Sequence, residues 1–211
     1  MRPDTMTAIN RALGTKRKFF AEILDFHLDE LGANAMAIEA VLANPTALDM
    51  LLRNPTTLAQ LMCSMQDAEA LRRFADNPKA MLTISENLHM INPIIETEVL
   101  RTILEQSSVF INALAGSPLR RTVSRTTAHS VTVHPGKAFV LSFESPGAGT
   151  MARGSVGTFF ANPVLVTPGN TTATPIAINR FVSTLNVQGI PPGDDFGGVS
   201  RLVTVTFVPL S

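Results

Sequence analysis

The stretch from Asn44 to Met62, NPTALDMLLRNPTTLAQLM, contains nearly the same ten residues twice in succession. Each copy begins Asn-Pro-Thr, so that proline stands at Pro45 and again at Pro55. Proline clashes with the preceding helical turn and moves the residue before it out of the α region. A helix must therefore break at Asn44 and at Asn54, and the stretch predicts short separate helices.

The repeat extends to six units of ten residues. Asn or Asp, the residue types preferred as helix N-caps, stands first in every unit, and Pro follows it in three of the six. The units begin at Asn34, Asn44, Asn54, Asp67, Asn77 and Asn87, and Ser64, Met65 and Gln66 alone interrupt the period. We therefore predict an array of capped helices over about residues 34–96.

Apolar residues occupy the fifth and eighth positions of each unit. The fifth positions are Ile38, Leu48, Leu58, Leu71, Met81 and Ile91, and the eighth are Val41, Leu51, Leu61, Phe74, Ile84 and Ile94. A spacing of three places both on one face of a helical turn. Helices of about eight residues fall below the ~12–15 needed for marginal stability alone. They must stack, and we expect a compact spiral of single short helices.

Two longer helices are expected to flank the array. The first draws on KFFAEILDFHLDEL, whose apolar face is formed by Phe19, Phe20, Ile23, Leu24, Leu28 and Leu31. The second runs near Glu98 to Leu114 and is stopped by Gly116 and Pro118. The whole N-terminal half is therefore predicted to be helical.

The composition of the chain changes near Arg121. Residues 1–121 hold 26 charged side chains and 3 glycines, whereas residues 122–211 hold 8 and 10. The second half is rich in Thr, Val and Phe, and the change follows GSPLRRTVSRTT, which begins with a helix stop. The predicted fold class is α+β, with a helical domain at 1–115, a linker at 116–125 and a β domain at 126–211.

Short apolar runs separated by turn residues predict the β domain. The runs are HSVTVH, AFVLSFE, VGTFFA, PVLVT, IAINRFVSTLNVQ and SRLVTVTFVP. Alternation of Val and Thr is typical of strands with one buried face, and six to eight strands in about 90 residues indicate an antiparallel sandwich or jelly roll. Its outer face would be Thr and Ser, which favours burial against neighbouring subunits.

Charge and cysteine content exclude several classes of function. Lys plus Arg and Asp plus Glu both number 17, so no net field would attract nucleic acid or an anionic membrane. No stretch approaches the ~18 apolar residues of a membrane span, and the N-terminus lacks the apolar core of a signal peptide. The single cysteine, Cys63, suits a reducing cytosol, and its apolar surroundings predict a buried side chain.

Two motifs resemble catalytic or cofactor sites but lack the structural context that such sites require. GAGTMA, residues 147–152, matches the dinucleotide fingerprint in form, yet RGSVGTFFANP after it continues as strand instead of opening a helix. Turn glycines between two strands explain it better. Ser155 in RGSVG lacks the spacing of a nucleophile elbow.

The remaining polar candidates are explained more simply by structural roles. His27, His89, His129 and His134 share no ligand spacing with one another or with Cys63, and are expected at the surface or rim. Asp194 and Asp195 lack a calcium ligand ladder and indicate a solvated turn. Lys16, Arg17 and Lys18 favour a solvated face or intersubunit pairing. We therefore predict no catalytic residue, no metal site, no cofactor and no enzymatic activity.

The decapeptides starting at Asn44, Asn54 and Asn77 resemble the N/S-P-T-A-L/M repeats of virion structural proteins of tailed bacteriophages. Those proteins include fibre, baseplate and head-decoration components, often with a Thr/Gly/Val-rich β domain after the repeats. The resemblance covers residues 34–96 by motif and 122–211 by composition. The Asp67 unit and Pro93 inside the last unit depart from the pattern.

The resemblance implies a non-enzymatic virion component, made in the host cytoplasm, that docks through its helical domain and displays or trimerises through its β domain. Fibre, baseplate or tail association is expected first, and head decoration or a head fibre is the alternative. The implied partners are other virion proteins and further copies of the chain, without nucleic acid or membrane insertion; a host surface receptor stays open. A cellular peptide- or glycan-binding scaffold is the alternative from another class, although the lack of Trp and Tyr disfavours sugar stacking.

Overall fold

The computed structural model describes residues 31–144, 154–159, 162–166, 175–188 and 200–210. Helices form its N-terminal region and antiparallel sheets its C-terminal region, which confirms the α+β fold class. The chain divides into two compact units, Met1–Ala113 and Leu114–Ser211. Among the described residues, no single helix is long and apolar enough to cross a membrane.

The described helices are short, as the repeat predicts. They are α1 (Ala35–Leu42), α2 (Pro45–Arg53), α3 (Pro55–Ser64), α4 (Ala68–Ala75), α5 (Pro78–Glu86), a 3-10 helix (Leu88–Ile91), α6 (Asn92–Ile95), α7 (Glu98–Gln106) and α8 (Ser108–Ala115). The longer helix predicted from KFFAEILDFHLDEL lies almost entirely outside the described residues.

Five of the six predicted caps act as caps. In each, a side-chain oxygen of the first residue accepts a hydrogen bond from the backbone N–H three residues later, at 2.7 to 3.1 Å. The five capping residues are Asn34, Asn44, Asn54, Asp67 and Asn77. Prolines at the start of α2, α3 and α5 lack only an N–H that the first turn leaves unused.

The sixth unit differs from the prediction. Asn87 does not cap a helix, and its amide instead donates to the Thr83 carbonyl oxygen at 3.2 Å. The unit splits into the 3-10 helix and the four-residue α6, which begins at Asn92. Pro93 explains the split, because proline has no N–H to continue a helix but fits the first turn of a new one.

The second predicted flanking helix is wrong as a single element. It breaks at Ser107, whose hydroxyl accepts a hydrogen bond from the Phe110 N–H at 3.1 Å and so caps α8. Ser competes with the helical backbone through its side chain, which favours a cap over a helix interior. Thr97 directly precedes α7, as Ser107 precedes α8. The residues that precede successive helical elements, Asn77, Asn87, Thr97 and Ser107, are therefore spaced by ten.

Both predicted apolar positions of the array are buried, and so is a third position. The fifth and eighth residues of all six units are at most 6% exposed. The fourth residues are equally buried, and most are alanine: Ala37, Ala47, Thr57, Ala70, Ala80 and Met90. A small residue at the fourth position lets the first turn of each helix approach its neighbour closely. The buried face of each ten-residue unit therefore includes the fourth position as well as the fifth and the eighth.

The helices wind with three units per turn. α1 packs against α4, α4 against α7, and α3 against the 3-10 helix, so each unit contacts the third one after it. α1 and α2 are bent by 100° relative to each other, close to the third of a circle that this winding requires. The predicted spiral of short helices is therefore present, and its turns stack directly.

The C-terminal unit contains eight described strands. They are β1 (Arg121–Thr127), β2 (Val131–His134), β3 (Ala138–Glu144), β4 (Gly154–Phe159), β5 (Asn162–Val166), β6 (Ile176–Val182), β7 (Thr184–Val187) and β8 (Arg201–Pro209). They form two antiparallel four-stranded sheets, in the orders β1-β8-β3-β6 and β2-β7-β4-β5. Consecutive strands alternate between the two sheets except at the hairpin of β4 and β5. This connectivity is that of a jelly roll, which contains two Greek keys.

Side chains from both sheets fill one core. Phe143, Val182, Val205 and Phe207 contribute from the first sheet, and Leu185 and Val187 from the second. The opposite face of the first sheet is not uniformly Thr and Ser as predicted. On β3 and β6 it carries Phe139 and Phe181, both buried, whose rings meet edge to face at 4.8 Å.

Two predicted boundaries shift in the β unit. Residues 121–125 of the predicted linker belong to β1, whose basic and hydroxyl residues suit an exposed edge strand as well as a linker. The run IAINRFVSTLNVQ, predicted as one segment, divides at Ser183 into β6 and β7 of different sheets. Asn179 in β6 has φ 51°, in the left-handed region, beside a register shift against β3.

Candidate interaction surfaces

The three-per-turn winding gives the helical array stacked rows of helices. The first row is α1, α4 and α7, the second includes α2 and α5, and the third is α3 with the 3-10 helix and α6. Because each row stacks units from successive turns, side chains far apart in sequence become neighbours. The rows differ in the charges that they expose.

Ion pairs tie neighbouring turns together on the first two rows. On the first row, Arg73 of α4 pairs with Glu39 of α1, and its Nε also lies 3.2 Å from the Glu69 carboxylate. On the second row, Lys79 of α5 pairs with Asp49 of α2. Exposed ion pairs contribute about 0–1 kcal/mol each to stability. Their main significance is that they show which helices are neighbours in the stack. These charges are engaged within the array.

The third row has a different chemistry, because α3 contains no charged residue. An open groove of about 610 Å³ lies beside α3, and its described lining is Ala33, Thr56, Ala59, Gln60, Cys63, Ser64 and Gln66. All these side chains are uncharged. The described lining of the groove offers hydroxyl, amide and thiol groups, which can form hydrogen bonds with a bound segment.

Cys63 is exposed, so the prediction that it is buried is wrong. In the unit that begins at Asn54, Leu61 and Met62 are the buried residues of the last turn, and Cys63, which follows them, points outward. The apolar residues next to Cys63 in sequence therefore do not surround it in space.

Close approaches occur where the chain turns from one helix to the next. A Cβ built on Gly32 would lie 2.5 Å from Ser64 Oγ and 2.8 Å from the Ser64 carbonyl oxygen, so only glycine fits there. At a second such turn, the Ser107 hydroxyl donates to the Ala75 carbonyl oxygen at 3.1 Å. A smaller cavity of about 190 Å³ adjoins this second turn and is lined in part by Arg72, Asp76 and Gln106.

A row of hydroxyl groups marks the exposed face of β1 and β8. Thr122 lies 3.0 Å from Thr206, and Ser124 lies 2.8 Å from Thr204, between side-chain oxygens. Cross-strand hydroxyl pairs contribute about 0.2–1 kcal/mol each to a sheet. The predicted Thr and Ser surface is thus present on this half of the sheet.

The three described histidines, His89, His129 and His134, do not come together in one site. His129 is exposed in the turn between β1 and β2, whereas His134 lies on β2. His134 is half-buried, and its ring centroid lies 5.6 Å from that of Phe207. Its Nε2 is buried and has no hydrogen-bond partner in the part of the chain that the structure describes. Burial, and secondly the positive charge of Arg121, lowers the pKa of His134.

Among the described residues, no three His, Cys, Asp or Glu side chains come together as a metal site. Ser155 lies on β4, in agreement with the prediction that strand continues after the glycine-rich segment.

Several predicted candidates lie outside the described residues. They are GAGTMA, His27, Lys16, Arg17, Lys18, Asp194 and Asp195. The exposed groove and the β1 edge were not predicted from sequence; a charge-free α3 was the only available signal for the groove.

No protein-family profile and no curated protein matches this chain. Its two units, their surfaces and the repeat itself are therefore the basis for a functional proposal.

Proposed function

We propose that the chain is a non-enzymatic structural protein of a tailed-bacteriophage virion, associated with a fibre, baseplate or tail. The observation that carries the proposal is the array of Asn-capped, ten-residue helices, which resembles the decapeptide repeats of such proteins. Each helix is too short to be stable alone, so the array is built for stacking. It would be made in the host cytoplasm and incorporated into the particle.

The β unit supports the same proposal by architecture. Eight-stranded jelly rolls recur in viral capsid proteins and in lectins, although a fold alone does not define a function. An exposed sheet face of hydroxyl groups, with little charge, suits contact with other copies. In the proposal, the helical unit docks onto other virion proteins, and the β unit is displayed or forms a homotrimer.

Two measurements on the full-length chain test the proposal. Light scattering after size-exclusion chromatography should give the mass of a trimer, and mass spectrometry should find the chain in gradient-purified particles from the culture that produces it. A monomer that is also missing from those particles would overturn the proposal.

Crosslinking within intact particles separates the roles of the two units. We expect crosslinks from the helical unit to other virion proteins and crosslinks between copies from the β unit. Crosslinks to the major head protein would favour the alternative that the chain is a head decoration or head fibre.

A cellular peptide- or glycan-binding scaffold is the second candidate. The uncharged groove on α3 and the occurrence of jelly rolls among lectins favour it. The lack of Trp and Tyr removes the rings on which sugars most readily stack. Saturable binding on a glycan array, by a chain missing from particles, would establish this candidate instead.

A further inference from the structure

The first strand of the jelly roll has one side without a partner. β1 pairs with β8 through all seven of its residues, without a register shift. It ends the order β1-β8-β3-β6, and no other described strand lies beside it. An edge strand presents backbone N–H and C=O groups that can pair with another chain.

Several devices that usually protect an edge strand are missing from β1. It contains no proline and no bulge, and five of its seven residues are exposed. At seven residues it is longer than the very short strands that often end a sheet. Its protection comes from charge, because Arg121 and Arg125 lie on it and Arg120 directly precedes it.

The positive charge on this edge is not neutralised by the described part of the chain. Arg120 and Arg125 donate hydrogen bonds to the carbonyl oxygens of Ala115 and Ser124, at 2.7 and 3.0 Å. None of the described ion pairs involves these two residues or Arg121. Arg121 and Arg125 are four residues apart, so they lie on the same face of the strand, on either side of Val123.

This charge determines which chain can pair with the edge. Antiparallel pairing of β1 with β1 of a second copy would bring four arginines onto one two-stranded ribbon, and like charges in register are destabilising. An extended segment with carboxylates four residues apart would place opposite charges beside Arg121 and Arg125. Backbone pairing would supply affinity, and the arginines would supply selectivity.

We propose that the open edge of β1 binds an extended acidic segment of a different protein, which adds a fifth strand to the sheet. The partner is defined by its chemistry as a strand-forming peptide with two acidic residues spaced like Arg121 and Arg125. This inference goes beyond the proposed virion role and does not depend on it.

A synthetic peptide tests the proposal with the full-length protein. The probe is a seven-residue, end-capped peptide of alternating Val and Thr with glutamates four positions apart. We expect saturable binding by fluorescence anisotropy and slower hydrogen exchange of the amides of residues 122–126 on binding. Unchanged exchange in β1 at saturating peptide would overturn the proposal.

Two control ligands separate strand addition from attraction between charges. The same peptide with alternate backbone amides N-methylated keeps its carboxylates but loses its hydrogen-bond donors, and it should bind at least about tenfold more weakly. Oligothymidine of equal charge should not protect β1. Equal binding by the N-methylated peptide, or protection of β1 by the oligonucleotide, would show a general anion surface and contradict the proposal.

Matched protein variants test the role of the arginines. Arg125→Glu should weaken peptide binding about fivefold to tenfold, and a peptide in which only the glutamate facing residue 125 is replaced by lysine should bind this variant better than it binds the wild type. Arg53→Glu makes the same charge change on an exposed residue of α2 and should leave binding unchanged. Circular dichroism checks that both variants fold. An equal loss in both variants would refute selectivity at β1.

Discussion

The Ser107 hydroxyl donates a hydrogen bond to the Ala75 carbonyl oxygen at 3.1 Å and accepts one from the Phe110 N–H at the same distance. One side chain therefore ends α4 and begins α8. We expect Ser107→Ala to lower the free energy of unfolding by about 1–3 kcal/mol, because a cap and a bond between turns are both lost. Urea unfolding followed by far-ultraviolet circular dichroism measures it. Ser108→Ala, at an exposed neighbouring residue, is the control and should change stability little.

The capping role of the repeated Asn is tested at Asn54. Its side chain accepts a hydrogen bond from the Thr57 N–H at 3.1 Å, and Asn54 itself is exposed. Asn54→Ala should cost about 1 kcal/mol of stability, whereas Asn54→Asp, which keeps the acceptor oxygen, should cost almost nothing. Asn87→Ala should cost less than Asn54→Ala, since Asn87 caps no helix. An equal loss at Asn54 and Asn87 would contradict the capping explanation.

Adjacent residues of α5 test which face of a unit is buried. Met81 is 1% exposed and Leu82 is 54% exposed. Met81→Ala should destabilise the chain by about 2–5 kcal/mol through loss of buried surface and formation of a cavity. Leu82→Ala should stay within about 0.5 kcal/mol of the wild type, as for other surface changes. Midpoints of urea unfolding for the two variants give the comparison, and similar values would refute the stacked array.

Acid should destabilise the β unit through His134. Burial and the charge of Arg121 lower the pKa of this histidine in the folded state below its ordinary value of 6.5. The unfolded state therefore binds the proton more readily. Stability should be constant above pH ~6.5 and should fall as the pH drops from there toward the lowered folded-state pKa.

Urea midpoints between pH 7.5 and pH 5, followed by hydrogen exchange in β2 and β3, measure this dependence. His134→Gln should make the slope of stability against pH shallower. Arg121→Ser should reduce this slope only in part, because it removes the charge of Arg121 but leaves the burial of His134. His129→Gln, at an exposed histidine, should keep the full slope. A slope unchanged by His134→Gln would assign the acid sensitivity to other groups.

Much of the helical unit follows from local patterns in the sequence. Asn before Pro, with apolar residues at fixed offsets, requires a capped helix that ends after about two turns, wherever it lies in a protein. The same reasoning failed where the local signal was weak. Ser107 is a favourable cap residue, but it lies within an apolar stripe that continues on both sides of it, and Cys63 has apolar neighbours in sequence although it faces outward.

In the β unit, runs of Val, Thr and Phe predicted the number of strands but not their partners. The partners of β1 and β8 are about 80 residues apart in sequence, as in the Ser124–Thr204 hydroxyl pair. Such pairing depends on loop closure and on a shared core, and neither is visible in a short window of sequence. Residues 121–125 of β1 were predicted as linker because the exposed residues of this strand carry no apolar alternation.

The sequence by itself determined the short capped helices, the α+β division of the chain and the apolar positions that are buried, because proline geometry, capping and side-chain periodicity act over a few residues. Only the tertiary structure decided the three-unit winding, the joining of Ser107 to Ala75, the groove on α3 and the open edge of β1. Each of these depends on residues about 30 or more positions apart meeting in space.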